Sequence, residues 1–274
     1  MEFDMSIKVV YIGNFTKIAE YIFHNEYYEL ISIICEKEKI TEDLFTFSLV
    51  REIPILRVDK DNMADEYINK FEKNVVFVMC SYGKRLPIER CVGYQIFNIH
   101  YAALPKYKGR HPSYWATVSG EKTLGVSLQL VSEKFDCGDI ITKKNVPYYL
   151  WENEIDVFDK LTDQVPDLLN SLNDYLNGEI TLAGNSEDNY FPPVTLDDIC
   201  LDIENDSPAL IFNKVRSQTR ANGAIIVLGN RKYRIYSMKF VERYIEESFV
   251  ENNKLYIKYK PNICICSTDF KEMD

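Results

Sequence analysis

The sequence predicts an α/β fold: a mostly parallel sheet with helices on both faces, plus a small β-rich C-terminal subdomain. Three observations predict it. From Ser6 to His100, short apolar runs alternate with segments of helical period, the pattern of successive β–α–β units. One run, Asn74–Cys80 (NVVFVMC), is almost continuously apolar, as a strand buried on both faces must be. Beyond Gly223 come closely spaced strand candidates separated by Gly229-Asn230 and Asn252-Asn253, pairs that favour hairpin turns.

The elements follow in order. Ser6–Ile12 reads as a buried strand, and Gly13-Asn14 turns it into a helix over Thr16–Asn25. Tyr28–Cys35 is a second strand, Thr41–Glu52 a helix, Pro54–Val58 a short strand, and Asn62–Glu72 a helix. After the Asn74–Cys80 strand, Leu86–Val92 suggests a short helix before the strand Gln95–His100. Pro112–Gly120 has Pro in its first helical turn. Leu124–Val131 and Asp139–Lys143 are further strands. Glu154–Leu176 reads as one long helix, from the spacing of Val157, Leu161, Val165, Leu168, Leu169, Leu172 and Leu176. Pro166 should kink it, and Asn177-Gly178 should stop it. Ala183–Ser186 is loop-like and Pro192-Pro193 breaks regular structure, so a boundary is expected near residue 185: a catalytic domain over 1–185 and an α+β subdomain over 186–274. Leu196–Thr219 carries one or two helices. The strand candidates after it are Ala224–Leu228, Lys232–Tyr244, Lys254–Lys260 and Ile263–Ser267.

Bulk properties narrow the function. The 274 residues are 46% hydrophobic and 27% charged, as in ordinary globular proteins. The net charge of −10 argues against a broad nucleic-acid surface, which needs a basic face. It leaves room for a local basic pocket that takes a phosphorylated small molecule. The seven cysteines fit no metal-binding spacing. Cys264-Ile265-Cys266 is too short for a zinc knuckle and suits alternating strand positions. No metal is expected, and unpaired thiols point to a reducing cytoplasm. No apolar run approaches the roughly 20 residues of a membrane span, and the acidic start (Met1-Glu2-Phe3-Asp4) lacks a signal pattern. Gly13 stands alone where a dinucleotide-binding turn needs GxGxxG, and no GxxxxGK[ST] loop occurs.

The site should lie at the carboxyl ends of the parallel strands, where the strand order switches. Cys80-Ser81-Tyr82-Gly83 and Asn98-Ile99-His100 lie at or near such ends. Residues i and i+2 of a strand share a face, so Asn98 and His100 aim at one point. With a carboxylate from Asp136 they form a set suited to acyl transfer: an amide donor, an imidazole and a proton acceptor. Cys137 is expected to be packing, His24 and His111 structural or exposed, and Trp115 core.

These residues resemble the folate-dependent formyltransferase family, a Rossmann-like fold. The likeness runs over roughly residues 5–180. It is carried by Asn98-x-His100, Leu104-Pro105-x-Tyr107-x-Gly109, Gly125-Val126-Ser127 and Asp136-x-Gly138, in that order, and by the Ser81-Tyr82-Gly83…Leu86-Pro87 loop. Asn213-x-x-Arg216 followed by Gly223-Ala224 is similar to the second region of the sugar N-formyltransferases. The resemblance implies N10-formyltetrahydrofolate as formyl donor and Asn98, His100 and Asp136 as catalytic residues. Asp136 either accepts the acceptor's proton or orients His100. It implies folate contacts at Ser81, Tyr82, Gly83, Leu86 and Asp139. Contacts to a nucleotide-linked amino sugar are expected at Lys106, Arg110, Tyr190, Phe191, Asn213 and Arg216, with Arg220 a weaker candidate. The implied acceptor is a dTDP-linked amino-dideoxy sugar for O-antigen or lipopolysaccharide synthesis, best matched as dTDP-4-amino-4,6-dideoxyglucose. The alternatives are a 3-amino-3,6-dideoxyhexose, then methionyl-tRNA, then a catalytically silent binding relative. Glycinamide ribonucleotide formyltransferase normally lacks such a tail. A homodimer through the C-terminal strands is also implied.

Overall fold

The computed structural model describes residues 6–59, 63–186, 189–219 and 222–273. The acidic N-terminus, the expected helix start at Asn62 and the Arg220 candidate lie outside the described residues. Two compact units emerge. One comprises residues 1–108, 125–145 and 160–190; the other comprises 109–124, 146–159 and 191–274. The chain passes from the first unit to the second for the last time between residues 190 and 191. The excursions 109–124 and 146–159 carry no compositional mark.

The first unit is built on a seven-stranded sheet. Its strands are β1 (Ile7–Gly13), β2 (Tyr28–Glu36), β3 (Ile55–Val58), β4 (Val76–Cys80), β5 (Gln95–His100), β7 (Thr123–Leu130) and β8 (Ile140–Pro147), in the order β3-β2-β1-β4-β5-β7-β8. Strands β3 to β5 pair parallel, and β5 pairs antiparallel with β7. The order reverses between β1 and β4, which opens a crevice at their carboxyl ends. A short β6 (Lys108–Gly109) follows β5.

The connecting helices are α1 (Thr16–Phe23), α2 (Glu42–Val50) and α3 (Ala64–Ile68); α4 (Pro112–Val118) belongs to the second unit. Thr41 caps α2, its hydroxyl accepting from the Leu44 N–H at 3.2 Å, which satisfies one of the first-turn donors. Leu86–Val92 forms only a single 3-10 turn, Ile88–Arg90. The core on one side of this sheet joins Val10, Ile12, Ile34, Val58, Phe77, Leu86 and Ile96. Each fully buried side chain of this size contributes roughly 1.5–3 kcal/mol.

The expected single helix over 154–176 is two: α5 (Glu154–Thr162) and α6 (Val165–Leu176). Pro166 sits in the first turn of α6, where its missing N–H costs nothing, so the chain breaks there instead of kinking. Ala183, expected in a loop, pairs with Ile140 in a single antiparallel bridge. β9 (Tyr190–Phe191) follows.

In the second unit, α7 (Pro208–Arg216) is the one helix of the 196–219 stretch, with Pro208 in its first turn and the Ser207 hydroxyl accepting from the Leu210 N–H at 3.2 Å. The unit holds a three-stranded sheet, β10 (Ala224–Leu228), β11 (Arg231–Ile235) and β16 (Phe270–Met273), and a four-stranded sheet, β12 (Lys239–Glu242), β13 (Phe249–Glu251), β14 (Lys254–Lys260) and β15 (Ile263–Ser267). The single strand expected over 232–244 is therefore two, placed in different sheets. Gly229-Asn230 joins β10 to β11, and Asn252-Asn253 joins β13 to β14 with φ of 50° and 57°, the left-handed pair of a type I′ turn. Ile211, Val215, Ile226, Ile235, Leu255, Ile257 and Ile265 form this unit's core.

Candidate functional site

β5 delivers Asn98 and His100 to one face at its carboxyl end. In the antiparallel register with β7, Asn98 lies opposite Gln129 and His100 opposite Ser127, so all four side chains share that face. Ser127, fully buried, accepts from the Leu104 N–H at 3.1 Å and donates to the Ala102 carbonyl at 2.7 Å. This pins the chain that leaves β5, and the Tyr107 carbonyl comes to lie 2.9 Å from His100 Nε2.

Asp136 reaches the same point from the turn after β7. Its φ of 53° is left-handed. Two residues on, a Cβ at Gly138 would overlap the Leu130 carbonyl oxygen, so only glycine lets this turn close against β7. Gly125 meets a similar limit, where a Cβ would stand 2.7 Å from Ala103 Cβ and from Asn145 Oδ1. The spaced glycines of the motifs are thus packing requirements that place Asp136.

Three groups converge on one oxygen, Asp136 Oδ1. Asn98 Nδ2 donates to it at 3.2 Å, Gln129 Nε2 donates to it at 2.9 Å, and His100 Nδ1 faces it at 3.4 Å. The His100 and Asp136 side chains are 8% and 10% exposed, a setting in which such contacts are stronger than in water. An amide, an imidazole and a carboxylate meeting at a strand end can stabilise an oxyanion and move a proton.

The loop after β4 is held from β2. Gly83 N–H donates to Glu36 Oε2 at 3.0 Å, and Lys39 pairs with the same oxygen at 2.6 Å. Burial pushes the Glu36 carboxyl up, but the Lys39 ammonium and the Gly83 N–H outweigh it and hold the carboxyl below its ordinary value. Ser81 is exposed and left-handed at φ 58°. The Tyr82 ring packs on the sheet core, where burial pushes its phenol up to about 12. Leu86, expected at a folate, is a buried core residue whose side chain faces the protein. Asp139 is exposed and its carbonyl accepts from the Leu130 N–H at 3.0 Å.

Of the expected sugar-nucleotide residues, Lys106 and Tyr190 are exposed in the first unit, and Arg110 is exposed in the second. Phe191 packs on Trp115, ring centroids 5.5 Å apart. Asn213 and Arg216 are both buried. Arg216 Nε donates to Asn213 Oδ1 at 2.9 Å, and a terminal nitrogen donates to the carbonyls of Tyr149 at 2.9 Å and Glu152 at 3.3 Å. The guanidinium lies 3.9 Å from the Tyr148 ring centroid. These bonds use Nε and one terminal nitrogen, and the two carbonyls belong to a turn of its own unit.

Three contributors are absent from the sequence reading: Gln129, Glu36 and Asn185. Gln129 is visible only once the β5–β7 register is known, although it lies two residues from Ser127 of the Gly-Val-Ser motif. Asn185 carries no local signal. Among the described residues no group of three or more His, Cys, Asp or Glu could hold a metal, and no helix is long and apolar enough to cross a membrane. All seven cysteines are unpaired.

Residues 34–171, half of the chain, match the family model described as "Formyl transferase". The chain belongs to the formyl transferase family. A methionyl-tRNA formyltransferase of Streptococcus uberis is 26% identical over 253 residues, 86% of this chain and 80% of the relative. Among solved structures, WlaRD, a sugar 3N-formyl transferase solved in the presence of dTDP and 5-N-formyl-THF, is 18% identical with a TM-score of 0.69, covering 98% of each chain. HypX from Aquifex aeolicus, in complex with tetrahydrofolic acid, is 16% identical with a TM-score of 0.71. That match covers 97% of this chain but 44% of HypX, so this formyl transferase spans less than half of HypX. At these identities the structural likenesses establish the fold.

Proposed function

We propose that this formyl transferase moves the formyl group of N10-formyltetrahydrofolate onto the amine of a dTDP-linked amino-dideoxy sugar. The observation that carries the reading is the convergence of Asn98, His100 and Asp136 at the carboxyl end of β5. The solved WlaRD and HypX structures, with their folate ligands, support the choice of donor. The matching length of WlaRD supports a sugar acceptor.

The bound donor supplies an activated formyl carbon. The acceptor amine would add to the formyl carbon, so that charge gathers on its oxygen and the amine gives up a proton; the C–N10 bond then breaks as that charge returns to carbon, and N10 takes up a proton. Asn98 Nδ2 has two hydrogens and spends one on Asp136; the other is available to the oxygen that gains charge. Losing one such donor costs about 2.7–4 kcal/mol of transition-state stabilisation. His100 hydrogen-bonds or protonates the same oxygen or the leaving nitrogen, and Asp136 takes the amine proton or holds His100. The backbone of Ser81–Gly83, and Asp139, bind the pterin. Lys106 offers an ammonium and Arg110 a planar fork suited to phosphate oxygens, while Tyr190 and Phe191 each offer aromatic surface. The buried Asn213 and Arg216 have no part in this reading.

A second reading, methionyl-tRNA as acceptor, is favoured by the 26% identical relative. The net charge of −10 weighs against it, because tRNA binding draws on phosphate contacts by basic residues. Cytoplasmic localisation and a homodimer through the outer strands β12 and β13, where Phe240 and Val250 are exposed, complete the proposal; sedimentation tests the dimer. The deciding experiment incubates the purified protein with N10-formyltetrahydrofolate and, separately, dTDP-4-amino-4,6-dideoxyglucose, its 3-amino counterpart and methionyl-tRNA. Folate absorbance and acceptor mass are followed. The 4-amino sugar is expected to be formylated fastest. Turnover with methionyl-tRNA alone would replace the sugar reading, and no turnover with any amine would leave a silent relative.

A further inference from the structure

We propose that Gln129 is a positioning residue for Asp136, and that Asn185 fixes the orientation in which Gln129 acts. The network lies in the first unit and is buried from end to end. Gln129 is 1% exposed and Asn185 is 9% exposed. Gln129 Nε2 donates to Asp136 Oδ1 at 2.9 Å, the shortest of the three approaches to that oxygen. Its carbonyl Oε1 accepts from Asn185 Nδ2 at 3.3 Å. An amide is ambiguous only when its two ends have equivalent neighbours. Here they do not: rotating Gln129 by half a turn would set its oxygen against a carboxylate and its NH2 against an NH2.

Asn185 is oriented just as firmly. Its Nδ2 faces three acceptors, the Asp136 and Gly138 carbonyls at 2.8 Å each and Gln129 Oε1 at 3.3 Å, with two hydrogens to share among them, while its Oδ1 is buried without a partner. The backbone of Asn185 is anchored in turn, its carbonyl accepting from the buried Lys108 ammonium at 3.0 Å. Two residues earlier, Ala183 is bridged to Ile140. Asn185 thus straps the turn that carries Asp136 and selects the Gln129 rotamer whose N–H points at the carboxylate. Asp136 is left-handed on a short turn, and a carboxylate so placed needs an external donor to hold one χ angle. Gln129 provides it, so that Asp136 faces His100 instead of swinging away.

The kinetic consequence rests on the formyl-transfer reading; the placement of Asp136 beside His100 does not. Two readouts keep them apart. The first uses protein labelled with 15N in histidine. The chain has only three histidines, and His100→Asn identifies the His100 ring signals by their loss. Gln129→Met (similar length, no donor) and Gln129→Glu (an oxygen where the donor was) are expected to move the His100 ring nitrogens while those of His24 and His111 stay in place. Asn185→Ala should move them in the same direction. The second readout is steady-state formyl transfer. A displaced reacting group costs on the order of a hundredfold, so kcat should fall by that order in Gln129→Glu and by less in Gln129→Met. KM for both substrates should stay within about twofold, the mark of an interaction used in the transition state. Unchanged His100 signals in folded Gln129→Met and Asn185→Ala would overturn the proposal. So would a loss that appears only in KM. Should Gln129→Glu not fold, the other two variants carry both readouts. Absence of transfer by the unaltered protein would sink the functional reading, and the ring signals would still decide the role of Gln129.

Discussion

Gln129 lies directly opposite Asn98 across the β5–β7 pair, and the two side-chain amides donate to the same oxygen of Asp136. One carboxylate is thereby held from two strands while His100 Nδ1 faces it from a third position, 3.4 Å away. The geometry makes the meeting of Asn98, His100 and Asp136 a property of strand register and of one glycine-closed turn.

His100→Asn should fold normally, because asparagine is polar and smaller than the imidazole it replaces in this buried site. Turnover in the formyl-transfer assay should drop at least about a hundredfold, the usual scale for a positioned acid or base. Near-normal kcat would remove His100 from the chemistry.

Gly138→Ala should be strongly destabilising, since its Cβ would overlap the Leu130 carbonyl and backbone must give way. Overpacking of this kind costs about 1–3 kcal/mol. The midpoint of urea unfolding should fall, and activity with it, because the turn carries Asp136. An unchanged midpoint would show that the turn has room to move.

Arg216→Ala tests the burial of that side chain. It loses bonds to Asn213, Tyr149 and Glu152 and the contact with Tyr148. Leaving buried partners unsatisfied costs about 1–3 kcal/mol apiece at most, so thermal stability should drop clearly while KM for the nucleotide sugar in the surviving folded protein changes little. A large rise in KM at unaltered stability would return Arg216 to the phosphate.

Glu36→Gln should loosen the Ser81–Gly83 loop in a pH-dependent way. The folded carboxyl titrates below its ordinary value of 4.5. A depressed carboxylate contributes stability above the unfolded-state value and loses it as pH falls through the folded one. Wild type should therefore exceed the variant by about 1–3 kcal/mol near neutral pH, and the gap should close below pH 4.5. Urea unfolding at pH 7 and in mild acid measures it; a gap independent of pH would rule out the charge-assisted bond to Gly83.

Most of the first unit was legible in the sequence because its signals are local. Apolar runs mark β1, β2, β4 and β5, and Asn98 and His100 share a face by the period of two alone. The errors occur where one residue type serves two outcomes. Pro166 can kink a helix or start one, and the break after Thr162 makes it start one. The 232–244 run has strand composition throughout, yet the chain leaves one sheet at Ile235 and joins another at Lys239.

Composition and motif spacing fixed the α/β class, the formyl transferase family and the identity of the asparagine, histidine and aspartate, because each of these is written in short-range pattern. Which oxygen they share, which glutamine and asparagine hold it, and that Arg216 is buried rather than offered to a ligand depend on contacts between residues 7 to 67 positions apart. Such contacts exist only after the chain has packed, when register and burial decide which of many chemically equivalent amides and guanidinium groups find a partner.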